Sequence, residues 1–305
     1  MPFDSFIQRA NADPLITEAV YRDIINVMPE ESDVMAIATR LPDMPSGRTR
    51  IPVMETLPEA FVRDGETDLI QTSNAQWKDT YVEAFNMDVV VPVSRDVYND
   101  TDDDLWARIS PALRQAFARR FDRVVLFGEN KATRSPNGIF TDAVAKSHTV
   151  ALNTGSDILD DLNSALTLVE NDGFTPTGHL ADLSVRGKFR NLRDTNGSRI
   201  NIEDFAANFG GVPRYMNKGN SIPASALIFS GDWSQVVYAL SRDFEMRIEQ
   251  SGVIQDGAGN IIFNLMQQNM VGLICSMRVG WALPNPVNAV NTDGTTRYPF
   301  SVLTP

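Results

Sequence analysis

One alternation constrains this chain more than any other feature. Tyr81, Glu83, Phe85, Met87, Val89, Val91 and Val93 fall on one side of the backbone, and Val82, Ala84, Asn86, Asp88 and Val90 on the other. A period of two sustained over this length demands a β-strand, long and mostly buried. Soon afterwards the period changes. Thr101, followed by Asp102, Asp103 and Asp104, opens a helix, because the hydroxyl accepts from orphan amides and carboxylates are stabilised at the positive end of the helix dipole. A calcium loop is a poor reading of those carboxylates, since no Gly and Glu follow at the required spacing. Leu113, Ala116, Phe117, Phe121 and Val124 form an apolar stripe, and Gly128 is placed to stop the helix. Pro111 should kink it, or force a restart with Ser110 as a second N-cap. A long strand feeding a long helix, each with one apolar face, belongs to a mixed α/β (α+β) order of elements.

The flanking segments are of a different kind. Residues 13–28 form an amphipathic helix, with Asp13 as N-cap, Pro14 in the first turn and Leu15, Ala19, Val20, Ile24 and Val27 on one stripe. Pro42, Pro45, Pro52 and Pro58 keep residues 41–58 extended and edge-like. The polar stretch from Glu59 to Asp79, with its Asp64-Gly65 turn, reads as a long excursion. Further helices are expected over 157–170, with Ile158, Leu159, Leu162, Leu166 and Val169 inward, and over 182–193, ending near the turn Asp194-Thr195-Asn196-Gly197. Short strands are expected around Gly210-Gly211-Val212-Pro213 and along Ala224 to Ser230. Phe244, Met246 and Ile248 alternate with charged residues, and Val271, Leu273, Cys275, Met277, Val279 and Trp281 share a face beyond a Gly-rich tip. Two long strands with a tip between them predict a protruding hairpin.

Composition narrows the function. With 27 Lys+Arg against 39 Asp+Glu the net charge is −12 and the pI near 4.7, which argues against binding nucleic acid by charge neutralisation. Arg outnumbers Lys 22 to five, and Arg is the side chain suited to bidentate protein contacts. Cys275 is the only cysteine, so no intrachain disulfide can form, and it is expected to be a small buried hydrophobe. No signal peptide or bilayer-length apolar run is read, so a soluble protein made inside a cell is expected, with no membrane partner.

Catalytic signatures are missing. There is no Gly-x-x-x-x-Gly-Lys-Ser/Thr, Gly-x-Ser-x-Gly, His-Glu-x-x-His or paired-Cys motif. Asp256-Gly257-Ala258-Gly259-Asn260 reads as a hairpin tip rather than a phosphate loop. His148 and His179 lie in segments of unlike character and are expected at the surface or in loops, while Asp160 and Asp161 sit where a helix start explains them. No catalytic residue, cofactor or metal is therefore expected, and a hydrolase of unknown type is a remote alternative.

The order of elements resembles the major capsid protein family of tailed bacteriophages, the Hong Kong 97-type fold. The likeness is carried by Ala60-Phe61-Val62-Arg63-Asp64-Gly65-Glu66, by Val91-Pro92-Val93-Ser94-Arg95-Asp96-Val97-Tyr98-Asn99-Asp100, by Leu126-Phe127-Gly128 with Pro136-Asn137-Gly138-Ile139, and by Arg278-Val279-Gly280-Trp281. It implies an N-terminal arm over 1–46, an extended β-hairpin loop over 47–80, a peripheral domain over 81–140 and 241–284 with a spine helix at about 102–127, and an axial domain over 141–240 and 285–305. It also implies pentamers and hexamers tiling an icosahedral virion head around double-stranded DNA, with scaffolding, portal and decoration proteins as further partners. The alternatives in the same fold or setting are an encapsulin-type compartment and a tail or head-completion protein.

On this reading the apolar residues of the arm and loop (Phe3, Phe6, Leu15; Ile51, Val53, Leu57, Phe61, Trp77) are completed by neighbouring subunits. The candidate contacts are Glu59, Asp64, Glu66, Asp68 and Trp77 on the loop, and Arg114, Arg119, Arg120 and Arg123 on the helix. Those arginines either pair within the helix to Asp122 or reach the carboxylates of an adjacent loop. The arm starts near Met1, so assembly is expected to use a separate scaffolding protein or none. Lys78, the one lysine near the loop, lies at its base rather than its tip, so no covalent crosslink is expected. Intact monomer bands from assembled particles in denaturing gels would bear this out, and a ladder would refute it.

Overall fold

The computed structural model describes residues 32–65, 69–99, 105–193, 208–209, 212–217 and 219–305. The expected arm helix at 13–28, the cap at Thr101 to Asp104, the turn at 194–197 and the pair Gly210-Gly211 lie outside them, as do Glu66 and Asp68. Two sheets organise the chain. The first contains β1 (Thr39–Arg40), β2 (Arg48–Thr56), β3 (Gln76–Ser94), β9 (Val237–Glu249) and β12 (Met270–Ala282), in the order β1-β9-β12-β3-β2. The second contains β4 (Thr149–Ala151), β5 (Gly178–Asp182), β6 (Asn208–Phe209), β7 (Val212–Asn217), β8 (Ile228–Gly231) and β13 (Phe300–Thr304), in the order β4-β13-β8-β5-β7-β6. Between β9 and β12 a small ribbon, β10 (Val253–Gln255) with β11 (Ile261–Asn264), forms the tip of the expected hairpin.

Among the described residues the helices are α1 (Asp33–Ile37), α2 (Arg95–Asn99), α3 (Leu105–Phe127), α4 (Ile139–Ala145), α5 (Ile158–Asn171) and α6 (Val185–Arg190). Helix α3, about 35 Å long at 1.5 Å per residue, lays Leu113, Phe117, Phe121, Val124 and Val125 into a core with Phe85 and Met87 of β3 and Cys275, Met277, Val279 and Trp281 of β12. The same core takes Leu180, Phe229, Phe300 and Val302 from the second sheet. On that sheet's other face, α5 packs Ile158, Leu162 and Leu166 against Ala181, Ile228 and Leu303. One continuous core therefore joins both sheets through α3. Cys275 is fully buried in it, and burial pushes its thiol up to about 12.

Local chemistry explains the ends of α3 and α5. Gly128 takes the left-handed conformation (φ 66°) that stops α3, and it meets Gly138 backbone to backbone. A Cβ on Gly138 would fall 2.2 Å from the Gly128 nitrogen. Asp157 caps α5 by accepting from the amides of Leu159 and Asp160. Buried Asp161 accepts from Asn153 N at 2.7 Å and Gly155 N at 2.6 Å, which satisfies a carboxylate that the dipole alone would leave desolvated. At the Gly-rich tip, Asp256 accepts from the amides of Ala258 and Asn260, the turn expected there.

Several expectations are corrected. Of the two alternatives at Pro111, the restart at Ser110 does not occur, since α3 runs through the proline as one helix. Ala118, not Ala116, faces the core, because the stripe rotates towards α1. Helix α6 is shorter than 182–193, since Asp182 still belongs to β5 and Gly187 weakens the segment. Only the odd-numbered face of β3 is buried along its middle. Asn86 and Asp88 are exposed and Val90 is 45% exposed, while Val82 is buried with Met44, Val237, Ala239 and Ala282 under residues 41–44. His148 lies in the loop between α4 and β4, as expected, but is buried, and His179 is neither at the surface nor in a loop. His179 sits in β5 with Nδ1 2.8 Å from Ser230 Oγ, and His148 Nε2 lies 3.2 Å from Asp172 Oδ2. Both are buried by residues far away in the chain: Ser230 for His179, Asp172 and Tyr298 for His148. Among the described residues no helix is long and apolar enough to cross a membrane.

Candidate functional site

The first sheet gives rise to a ribbon that leaves the body. Strand β3 pairs with β12 from Ser94 back to Glu83 and with β2 from Glu83 out to Gln76. With 19 residues it spans roughly 60 Å, and its distal part has only β2 as a ladder partner among the described residues. The edge position of β2 accommodates Pro52, as expected. Stem charges pair locally: Arg48 Nε lies 3.1 Å from Glu83 Oε1, its guanidinium stacks 3.6 Å over the Tyr81 ring, and Arg50 Nη1 lies 3.4 Å from Asp79 Oδ2. Lys78 stands in this stem opposite Val53, below the unpaired tip.

Beyond the stem the chain is extended, with Glu59 N donating to Ser73 Oγ at 2.7 Å across the tip. Phe61, Val62, Leu69 and Ile70 line a groove of about 1040 Å³ here. Val62, Leu69 and Ile70 are 94%, 91% and 82% exposed, and Trp77 on the stem is 64% exposed. Leaving such a row in water is unfavourable, because covering each side chain would gain about 1.5–3 kcal/mol. Val53 departs from the expectation and is buried by its own chain.

On α3, Glu129 just past the helix takes two of the arginines: Arg123 Nη1 at 3.3 Å and Arg120 Nη1 at 3.8 Å. Arg119 is exposed and Arg114 half-buried. Asp122 is not their helix partner. It is buried, accepting from Ser32 Oγ at 2.7 Å, Val34 N at 3.3 Å and Ser221 Oγ at 3.3 Å. Burial pushes its carboxyl up to about 7, against the opposing hydrogen bond from Ser32. The carboxylate thus ties the segment at Ser32 to the C-terminal third of α3. Its place one residue after Phe121 on the apolar stripe was a usable signal.

Residues 12–291 match the phage capsid family. The chain belongs to that family. The major capsid protein of Staphylococcus phage 80alpha is 23% identical over 220 residues, which are 70% of this chain and 65% of that protein; the chain therefore spans about 65% of that curated relative's length. A solved structure from Mycobacterium phage Bobi is 27% identical with a TM-score of 0.76, covering 98% of this chain and 95% of the other. One from Microbacterium phage Oxtober96 is 26% identical with a TM-score of 0.77, covering 90% and 91%. The fold is the expected α+β architecture of Hong Kong 97 type. The phage capsid family is a structural one. Of the candidate contacts, Glu59, Asp64, Trp77 and Arg119 are exposed on one subunit, whereas Arg120 and Arg123 already share Glu129.

Proposed function

We propose that this chain is a major capsid protein that self-assembles as pentamers and hexamers into an icosahedral virion head enclosing double-stranded DNA. The row of apolar side chains at the loop tip carries this reading, because an isolated subunit leaves it in water. A second copy supplies the cover. The arm (1–46), extended loop (47–80), peripheral domain (81–140 and 241–284) and axial domain (141–240 and 285–305) are the working divisions of the subunit. The net charge of −12 suits an inner wall that meets DNA without holding it, since phosphates and carboxylates repel over about a Debye length.

The loop carboxylates Glu59, Asp64, Glu66 and Asp68 reach basic side chains on the neighbour, with Arg119 as the available helix donor. Negative-stain electron microscopy of the purified protein tests the function. Closed shells are expected, filled with DNA in native particles; protein-filled shells would indicate a cargo compartment, and monomers with turnover an enzyme. Arg119→Glu should then reduce shell yield at least about tenfold while the subunit stays folded, and normal yield would remove Arg119 from the contact. A single exposed pair contributes under about 1 kcal/mol, but it recurs at every copy.

A further inference from the structure

Beyond the first sheet's body, β2 and the distal half of β3 continue as a two-stranded ribbon. A two-stranded ribbon alone in water is marginally stable and twists easily, and β12 stops supporting β3 at the Trp281–Glu83 pair. The direction of the ribbon needs a second support. Residues 283–298, between β12 and β13, run beside the stem and enclose with it a groove of about 550 Å³ lined by Glu55 and Lys78 on one side and Asn285 and Asp293 on the other. Val287 N crosses this boundary and donates to Met54 O at 3.1 Å.

This segment is itself held at several points from the other side. Asp172, at the end of α5, accepts from Asn291 Nδ2 at 2.8 Å and Tyr298 N at 2.6 Å, and its carbonyl accepts from Asn288 Nδ2 at 2.7 Å. Arg297, buried although its charge is penalised there, donates to Asn285 O, Asn285 Oδ1 and Asn291 O, closing the segment on itself. Lys146 Nζ donates to the Arg297 carbonyl at 2.8 Å. Gly173, with φ 77°, lets Asn288 approach so closely that a Cβ would lie 2.7 Å from its Oδ1. Such dense satisfaction of a long connection implies a segment built to transmit position rather than merely to join strands.

We propose that residues 283–298 act as a strap that sets the angle of the extended loop, with Asp172 as the anchor and the Val287–Met54 bond as the point of attachment. The loop angle is then governed by the second sheet and α5 and not by the sheet from which the loop springs. Hydrogen–deuterium exchange on the full-length chain, kept dissociated, tests this without reference to shells. Asn288→Ala with Asn291→Ala should raise exchange of the stem amides at 48–56 and 76–82 by about fivefold or more, the effect of losing about one net hydrogen bond of restraint. Exchange along β9 and the middle of β12 should not change. Val287→Pro, which deletes the attachment and leaves the anchor, should loosen the stem alone. Faster exchange in 283–298 with an unchanged stem would overturn the strap, as would an unchanged stem in Val287→Pro. Should the double variant fail to fold, Asn291→Ala alone gives the same contrast at smaller amplitude.

Discussion

Leu69→Ser with Ile70→Ser is expected to stop shell formation while leaving a folded subunit. Both side chains are more than four-fifths exposed in the single chain, so the substitutions should change subunit stability by no more than about 0.5 kcal/mol. Buried against a second copy, they would together forfeit about 3–6 kcal/mol per contact, equivalent to about 10²–10⁴ in each association constant. On the proposed assembly the penalty would recur at every copy. Size-exclusion chromatography and electron microscopy of the double variant should show dissociated subunits with a wild-type circular dichroism spectrum. Shells of normal size and yield would show that the tip is not an assembly surface.

The second large effect concerns Asp122. Its folded-state carboxyl lies at about 7 against an ordinary 3.8, so the folded state holds the proton more tightly than the unfolded one. This contribution to stability is complete below about pH 4, declines as pH rises towards 7 and is gone above it. The full span corresponds to about 4 kcal/mol. Asp122→Asn keeps the size and an acceptor for Ser32 and Val34 but does not titrate. The stability difference between the Asp122→Asn variant and wild type should therefore swing in the variant's favour by up to about 4 kcal/mol between pH 4 and pH 8. Urea unfolding of dissociated subunits at several pH values measures it. Parallel curves would mean that water or a rearranged Ser32 relieves the buried charge.

Sequence periodicity carried much of this protein. The strand over Tyr81 to Val93, the helix ending at Gly128, the helix begun near residue 157 and the terminal hairpin are dictated by local spacing and capping chemistry, and they appear where that chemistry places them. Loop exposure was also legible, because a polar excursion that nonetheless carries Phe61 and Trp77 cannot cover them by itself. The errors fall on residues whose environment comes from distant segments. His148 and Asp172 meet across 24 positions of chain, and Asp122 meets Ser32 across 90. No window of sequence contains both members of either pair.

Local sequence thus determined which segments become strands and helices and which apolar residues lack a partner within their own element, since backbone sterics, capping and alternation act over a few residues. Only the tertiary structure decided which charges are withdrawn from water. Asp122 moved from an expected helix face into the core, Arg120 and Arg123 turned to Glu129, and the connection between β12 and β13 came to rest on Asp172 beside the stem of the extended loop. Desolvation and hydrogen-bond satisfaction depend on every atom packed around a group, and that surrounding exists only once the two sheets have closed on α3.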